Sequence, residues 1–196
     1  MLIGITGGIG SGKSVISKEL RRMGYAVYDT DNEAKRLIVE DLQVRQQIEV
    51  LLGKEVYQDG IYQTHIVAEK VFADNSLLAK LNTIVHPAVK ADILRWSLGM
   101  KEPQNLEVKE FHFIECAILY TAHLDEICDK VVAVTAPEEI RLTRTIARDH
   151  SDIDKVRARM RAQEVEQDIQ RADIVINNDG TTPIPTLCQQ ILENIK

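Results

Sequence analysis

No apolar run in this chain approaches the ~20 residues that a membrane-spanning helix needs, so a membrane protein is not expected. Nor is a signal peptide, because strand character begins at the second residue. Cysteine is scarce. Cys116, Cys128 and Cys188 are odd in number, far apart and without a C-x-x-C pair, which argues against a disulfide framework or a zinc site and suits free, buried thiols in a reducing compartment. A cytoplasmic protein is the expectation. Positive charge is not in excess either: 24 basic against 30 acidic side chains leave a formal charge of −6, which argues against non-specific binding to nucleic acid or anionic membranes. Any anionic ligand must meet a local cluster of cations. Repeats, low-complexity tracts and flexible linkers are also missing, so the 196 residues are expected to form one α/β core with insertions between its elements. Neither N-K-x-D nor D-x-x-G occurs, and a guanine-nucleotide switch is set aside on that ground.

What the chain does have is Gly7-Gly8-Ile9-Gly10-Ser11-Gly12-Lys13-Ser14, which fits the phosphate-loop pattern G-x-x-x-x-G-K-S/T at every fixed position. The dinucleotide fingerprint G-x-G-x-x-G fails, because it would need glycine at Lys13 or at Val15. Residues 2–6 read as a buried strand, and Val15, Ile16, Leu20 and Met23 fall at helical spacing, so the loop joins strand to helix. Its backbone N–H groups then face phosphate at a helix N-terminus. Lys13 is expected to reach the β- and γ-phosphates of ATP, and the Ser14 hydroxyl to hold Mg²⁺. Gly8, Ile9, Gly10, Ser11, Gly12 and Val15 complete the nucleotide-binding set.

Gly24 reads as the cap of the first helix, and a second strand over 26–28 delivers Asp29 and Asp31 to its carboxyl end. There a carboxylate can take a proton from an attacking hydroxyl or help to hold the metal, and Asp29 is the stronger candidate. Asp31 is equally suited to capping a helix that begins at Asn32. Helical patterns cover 33–40, 42–52, 64–72, 76–85 and 88–98, broken by a hairpin at Asp59-Gly60. His86-Pro87 falls between the last two, where proline reads as a helix stop and His86 as incidental or functional. Strand character returns over 108–114 and ends at Glu115, placed for indirect Mg²⁺ coordination, for acceptor binding, or simply for solvent. A fourth strand over 130–135 and a fifth over 173–176 flank the basic region, and a final amphipathic helix carries Leu187, Ile191, Leu192 and Ile195. Seven of the chain's twelve arginines lie between Arg141 and Arg171, and Arg141, Arg144 and Arg148 share one helical face. Such a face is either a phosphate-clamping lid or a solvated charged surface; the loop upstream favours the lid.

Taken together, these residues resemble the dephospho-CoA kinase family. Thr6 to Ser14 is similar to its opening motif, and Asp29-Thr30-Asp31 with Ala34-Lys35 to its D-A-D-x-x-A-R/K segment. Leu81-Asn82 with Val85-His86-Pro87-Ala88-Val89 is similar to its H-P stretch. Arg144 to Asp149, Arg159 with Gln163, and 172–180 through Asn177-Asn178-Asp179-Gly180 are similar to its lid and nucleotide-side motifs. The resemblance implies a P-loop NTPase fold with a five-stranded parallel sheet flanked by helices. It divides one domain into a core of 1–31, 108–139 and 172–196, a helical acceptor-binding insertion over 32–107 and a helical lid over 140–171. It implies Mg²⁺- and ATP-dependent phosphorylation of the ribose 3′-hydroxyl of dephospho-CoA, with ATP and dephospho-CoA as partners, no nucleic acid or membrane partner, and nothing about oligomeric state. Catalytic roles fall on Asp29, as base, and on Lys13, Arg144 and Arg148. Asp29, Asp31, His86 and Glu115 would bind the acceptor, and Asn178 would lie near adenine. Departures stand at Val15, where threonine is common, at Phe111-His112-Phe113-Ile114, and at Tyr62-Gln63.

Overall fold

The computed structural model describes residues 1–99, 110–163 and 165–196. β1 (Leu2–Thr6), α1 (Lys13–Arg22) and β2 (Ala26–Asp29) open the chain. α2 (Thr30–Glu40), α3 (Leu42–Leu52), the hairpin strands β3 (Tyr57–Gln58) and β4 (Ile61–Tyr62), α4 (Thr64–Ala73) and α5 (Asn75–Gly99) follow. Then come β5 (His112–Glu115), β6 (Lys130–Thr135), α6 (Glu138–Asp149), α7 (Ile153–Arg161), α8 (Val165–Arg171), β7 (Ile174–Asn177) and α9 (Ile184–Asn194). Two compact units result: Met1–Tyr28 with Asn105–Lys196, and Asp29–Gln104.

The first unit carries a five-stranded parallel sheet in the order β2-β5-β1-β6-β7. β1 lies at its centre, with Ile3 in register with Phe113 on one side and Ile5 with Val132 on the other. Its neighbours belong to opposite directions of winding, so the chain leaves β1 at the switch point, where parallel sheets bind ligands. Every residue of β1 is buried, as both faces of a central parallel strand must be. Ile3, Ile5, Phe113, Val132 and Val134 pack with Ile16 and Leu20 of α1 and with Leu187, Cys188, Ile191 and Leu192 of α9. The strand expected over 108–114 is found at His112–Glu115; residues 108 and 109 lie outside the described residues. The strand expected from Asp173 starts one residue later, because the Asp173 carboxylate turns back to accept from Val131 N at 2.7 Å. Gly24 ends α1 as expected: it follows Met23 at φ 86°, with Gly24 N donating to Arg21 O and Tyr25 N to Leu20 O, both at 3.0 Å. All three cysteines are free. Burial pushes the Cys128 thiol up to about 12 and that of Cys188 to about 11, so neither is a nucleophile at neutral pH.

The second unit is helical. α3 begins on Asp41, whose carboxylate accepts from Gln43 N and Val44 N, and its buried Val44, Ile48 and Leu52 pack with Val56, Tyr57, Val67 and Leu81. The hairpin turns at Asp59 and Gly60, both with positive φ (50° and 80°), as a two-residue connection between strands requires. Tyr57 anchors it, donating its hydroxyl to Ile38 O at 2.8 Å under the Arg45 guanidinium. Arg36 ties α2 to α5 through Asp92 at 2.8 Å.

The break expected at His86-Pro87 does not occur: α5 runs unbroken through Pro87. Proline removes one i→i−4 bond, but Leu81, Val89 and Ile93 on either side of it are buried, and their packing keeps the helix continuous. Pro87 itself is exposed, so nothing in the core needs its ring. We expect Pro87→Ala to raise the stability of this unit by about 1–3 kcal/mol, measured by denaturant unfolding; an unchanged or lower midpoint would mean that the proline is not a cost to the helix.

Candidate active site

The loop between β1 and α1 is closed by Ser11 N donating to Gly8 O at 3.1 Å. Gly12, at φ 95°, is the N-cap of α1, and a Cβ there would collide with the Asn178 amide; only glycine suits both demands. Lys13 folds back over the loop, its ammonium donating to Gly7 O at 2.6 Å and Gly8 O at 3.2 Å. Its charge is therefore delivered where phosphate oxygens are expected to lie. The Ser14 hydroxyl donates to Glu115 Oε1 at 2.6 Å. Glu115 ends β5 and is buried, so of the readings open for it the metal side gains support: the two oxygens form a hard donor pair that suits Mg²⁺. Val15 is half exposed in the first turn of α1.

From the other side, α6 meets the loop. Arg141 donates from Nε to Ile9 O at 2.9 Å, and Arg144 from Nη1 to Asn178 O at 2.9 Å. Burial pulls the Arg141 guanidinium below its usual range. Arg148 points elsewhere: it is paired with Asp149, which also takes Arg159 at 2.9 Å, and hydrogen bonds from these two arginines hold the Asp149 carboxyl down to about 2. Asn178 is buried and donates its amide to Ser11 O at 2.9 Å. Its polar end is spent on the loop.

Asp29 closes β2 and caps α2, accepting Asn32 N on Oδ1 at 3.1 Å and Asn32 Nδ2 on Oδ2 at 2.8 Å. The cap expected of Asp31 thus belongs to Asp29, and the helix starts at Thr30 rather than Asn32. Asp31 is exposed in the first turn, where its charge suits the helix dipole. His86 is half-buried within α5. The first unit therefore gathers the loop, Glu115, Arg144 and Asn178; Asp29, Asp31 and His86 belong to the second.

Two partners of the loop carried no assigned role in the sequence. Gln163 accepts the Ile9 N–H at 2.8 Å, and Arg141 holds the Ile9 carbonyl. Arg141 was visible on the arginine face, and Gln163 only as part of a lid-like motif.

Comparison with known proteins shows the family and the fold. A family model described as dephospho-CoA kinase matches residues 1–183. The dephospho-CoA kinase of Porphyromonas gingivalis is 41% identical over 170 residues, 87% of this chain and 81% of that protein. A solved protein of Thermus thermophilus superposes with TM-score 0.79 at 31% identity, covering 100% of this chain and 95% of the other. The dephospho-CoA kinase of Campylobacter jejuni does so at 0.72 and 23% identity, covering 99% and 96%, and shares the fold.

Proposed function

The chain belongs to the dephospho-CoA kinase family and is a kinase of that kind, and from this premise we propose how its own residues transfer the γ-phosphoryl group of ATP to the ribose 3′-hydroxyl of dephospho-CoA. The observation that carries the proposal is the loop itself, with the Lys13 ammonium folded over it and Ser14 bonded to Glu115. Loop N–H groups at the N-terminus of α1 bind the phosphates. Lys13 meets their charge in ground and transition states. Ser14 and Glu115 would hold Mg²⁺, which when bound draws charge from the phosphate oxygens. Arg144 and Arg148 clamp the transferred group; the pair that now holds Arg148 is an exposed one, worth little, and gives way to phosphate. Asn178 serves the nucleotide by holding Ser11 in place. Asp29 takes the proton of the 3′-hydroxyl, and Asp31 and His86 bind the acceptor.

In this reading 32–107 is the acceptor-binding segment and 140–171 the lid. The protein works in the cytoplasm on small molecules, which the formal charge of −6 and the free thiols support. Among the described residues no helix is long and apolar enough to cross a membrane. The test is ADP release with Mg·ATP and a panel of dephospho-CoA, AMP and shikimate. We expect dephospho-CoA to turn over far faster than the others; comparable rates with AMP would sink the acceptor assignment.

A further inference from the structure

We propose that Gln163 and Arg141 are positioning residues that aim the Gly10 N–H at the phosphate, and that Gln163 thereby helps to set the rate of transfer. The inference rests on the kinase reading of the loop given above. Ile9 stands between two peptide units, each pinned from the side of α6 and α7. In the first, the Ile9 N–H donates to Gln163 Oε1 at 2.8 Å, while Gly8 O, on the opposite edge, accepts from Ser11 N at 3.1 Å and Lys13 Nζ at 3.2 Å. In the second, the Ile9 carbonyl accepts from Arg141 Nε at 2.9 Å. No peptide bond is cis, and in a trans peptide the C=O and N–H point in opposite directions. A carbonyl turned towards Arg141 therefore sends the Gly10 N–H away from α6.

Three further contacts make this orientation rigid. The Ile9 side chain packs on the cluster of Leu142, Val156 and Met160. Gly10 has φ 78°, and a Cβ there would collide with Arg141 O, so the backbone of α6 abuts the loop. Gln163 is itself fixed at the end of α7, its own N–H donating to Met160 O at 3.3 Å. A preorganised N–H aimed at oxygens that gain charge during transfer lowers the barrier more than it tightens ground-state binding. The segment that bears the arginines is thus also a brace for the loop.

The test compares Gln163→Leu, which keeps bulk and removes the acceptor, with Gln163→Glu, which keeps an acceptor oxygen. We expect Gln163→Leu to lower kcat roughly 10-fold, the worth of about one hydrogen bond, with KM for dephospho-CoA and ADP affinity changed by no more than about 3-fold. Gln163→Glu should restore kcat to within about 2-fold of the unaltered enzyme. In the ligand-free protein the Gly10 amide resonance should move in the leucine variant and not in the glutamate one. Normal kcat with leucine, equal impairment in both variants, or an unmoved Gly10 resonance would each overturn the proposal. Should Gln163→Leu not fold, Gln163→Ala carries the same comparison. Failure of the kinase reading shows separately, as no ADP release by the unaltered protein with dephospho-CoA, whereas the Gly10 resonance reads the inference without turnover.

Discussion

Lys13→Ala should lower kcat by roughly 10²–10³ and weaken ATP binding as well, while leaving the unfolding midpoint nearly unchanged. The ammonium now rests on Gly7 O and Gly8 O at 2.6 and 3.2 Å, so it occupies the loop rather than open solvent. Phosphate replaces those carbonyls with oxygens that carry full charge, and the gain grows as charge develops in the transition state. The alanine variant loses both terms. Its loop should nevertheless persist, because Ser11 N still bonds Gly8 O, the Asn178 amide still holds Ser11 O, and Gln163 and Arg141 still pin Ile9. Arginine is not a conservative replacement here: its planar fork carries a broader head than the point charge that these two carbonyls receive. Steady-state kinetics and nucleotide calorimetry check the expectation; a near-normal kcat would show that the loop does not perform the chemistry.

Elements set by local pattern were legible in the sequence. α3 and the Asp59-Gly60 hairpin stand where expected, and the five parallel strands are those read from short apolar runs. The reading failed where packing outvotes a local signal: Pro87 is a helix stop by its chemistry, yet it lies inside α5 because buried residues on both sides of it keep the helix continuous. It also failed where two equivalent residues compete, as when Asp29 rather than Asp31 caps α2. For the site, the loop was plain, but its partners were not. Glu115 reaches Ser14 across 101 residues and Gln163 reaches Ile9 across 154, and no spacing rule links positions so distant. The arginine periodicity gave one face without saying what each member meets: Ile9 for Arg141, Asn178 for Arg144 and Asp149 for Arg148.

Asp29→Asn should lower kcat by roughly 10²–10⁴ with ATP affinity changed only a few-fold. The difficulty is that Asp29 has a structural task too, since its carboxylate caps α2 through Asn32. Asparagine caps helices as well as aspartate does, and its remaining oxygen can still accept Asn32 N. The substitution therefore keeps the backbone cap, gives up the second bond from Asn32 Nδ2 and removes the proton acceptor, whereas alanine would lose the cap as well. A ribose hydroxyl is a poor nucleophile until its proton can leave, while a loose phosphoryl-transfer transition state asks only modest help from a base. These two facts set the range given. If Asp29 instead mainly organises Mg²⁺, the variant needs more metal and excess Mg²⁺ restores much of the rate. An unchanged unfolding midpoint would establish that the cap survives. Titrating Mg²⁺ against the variant then decides the role, because recovery of most of kcat at high metal would rule out Asp29 as the base.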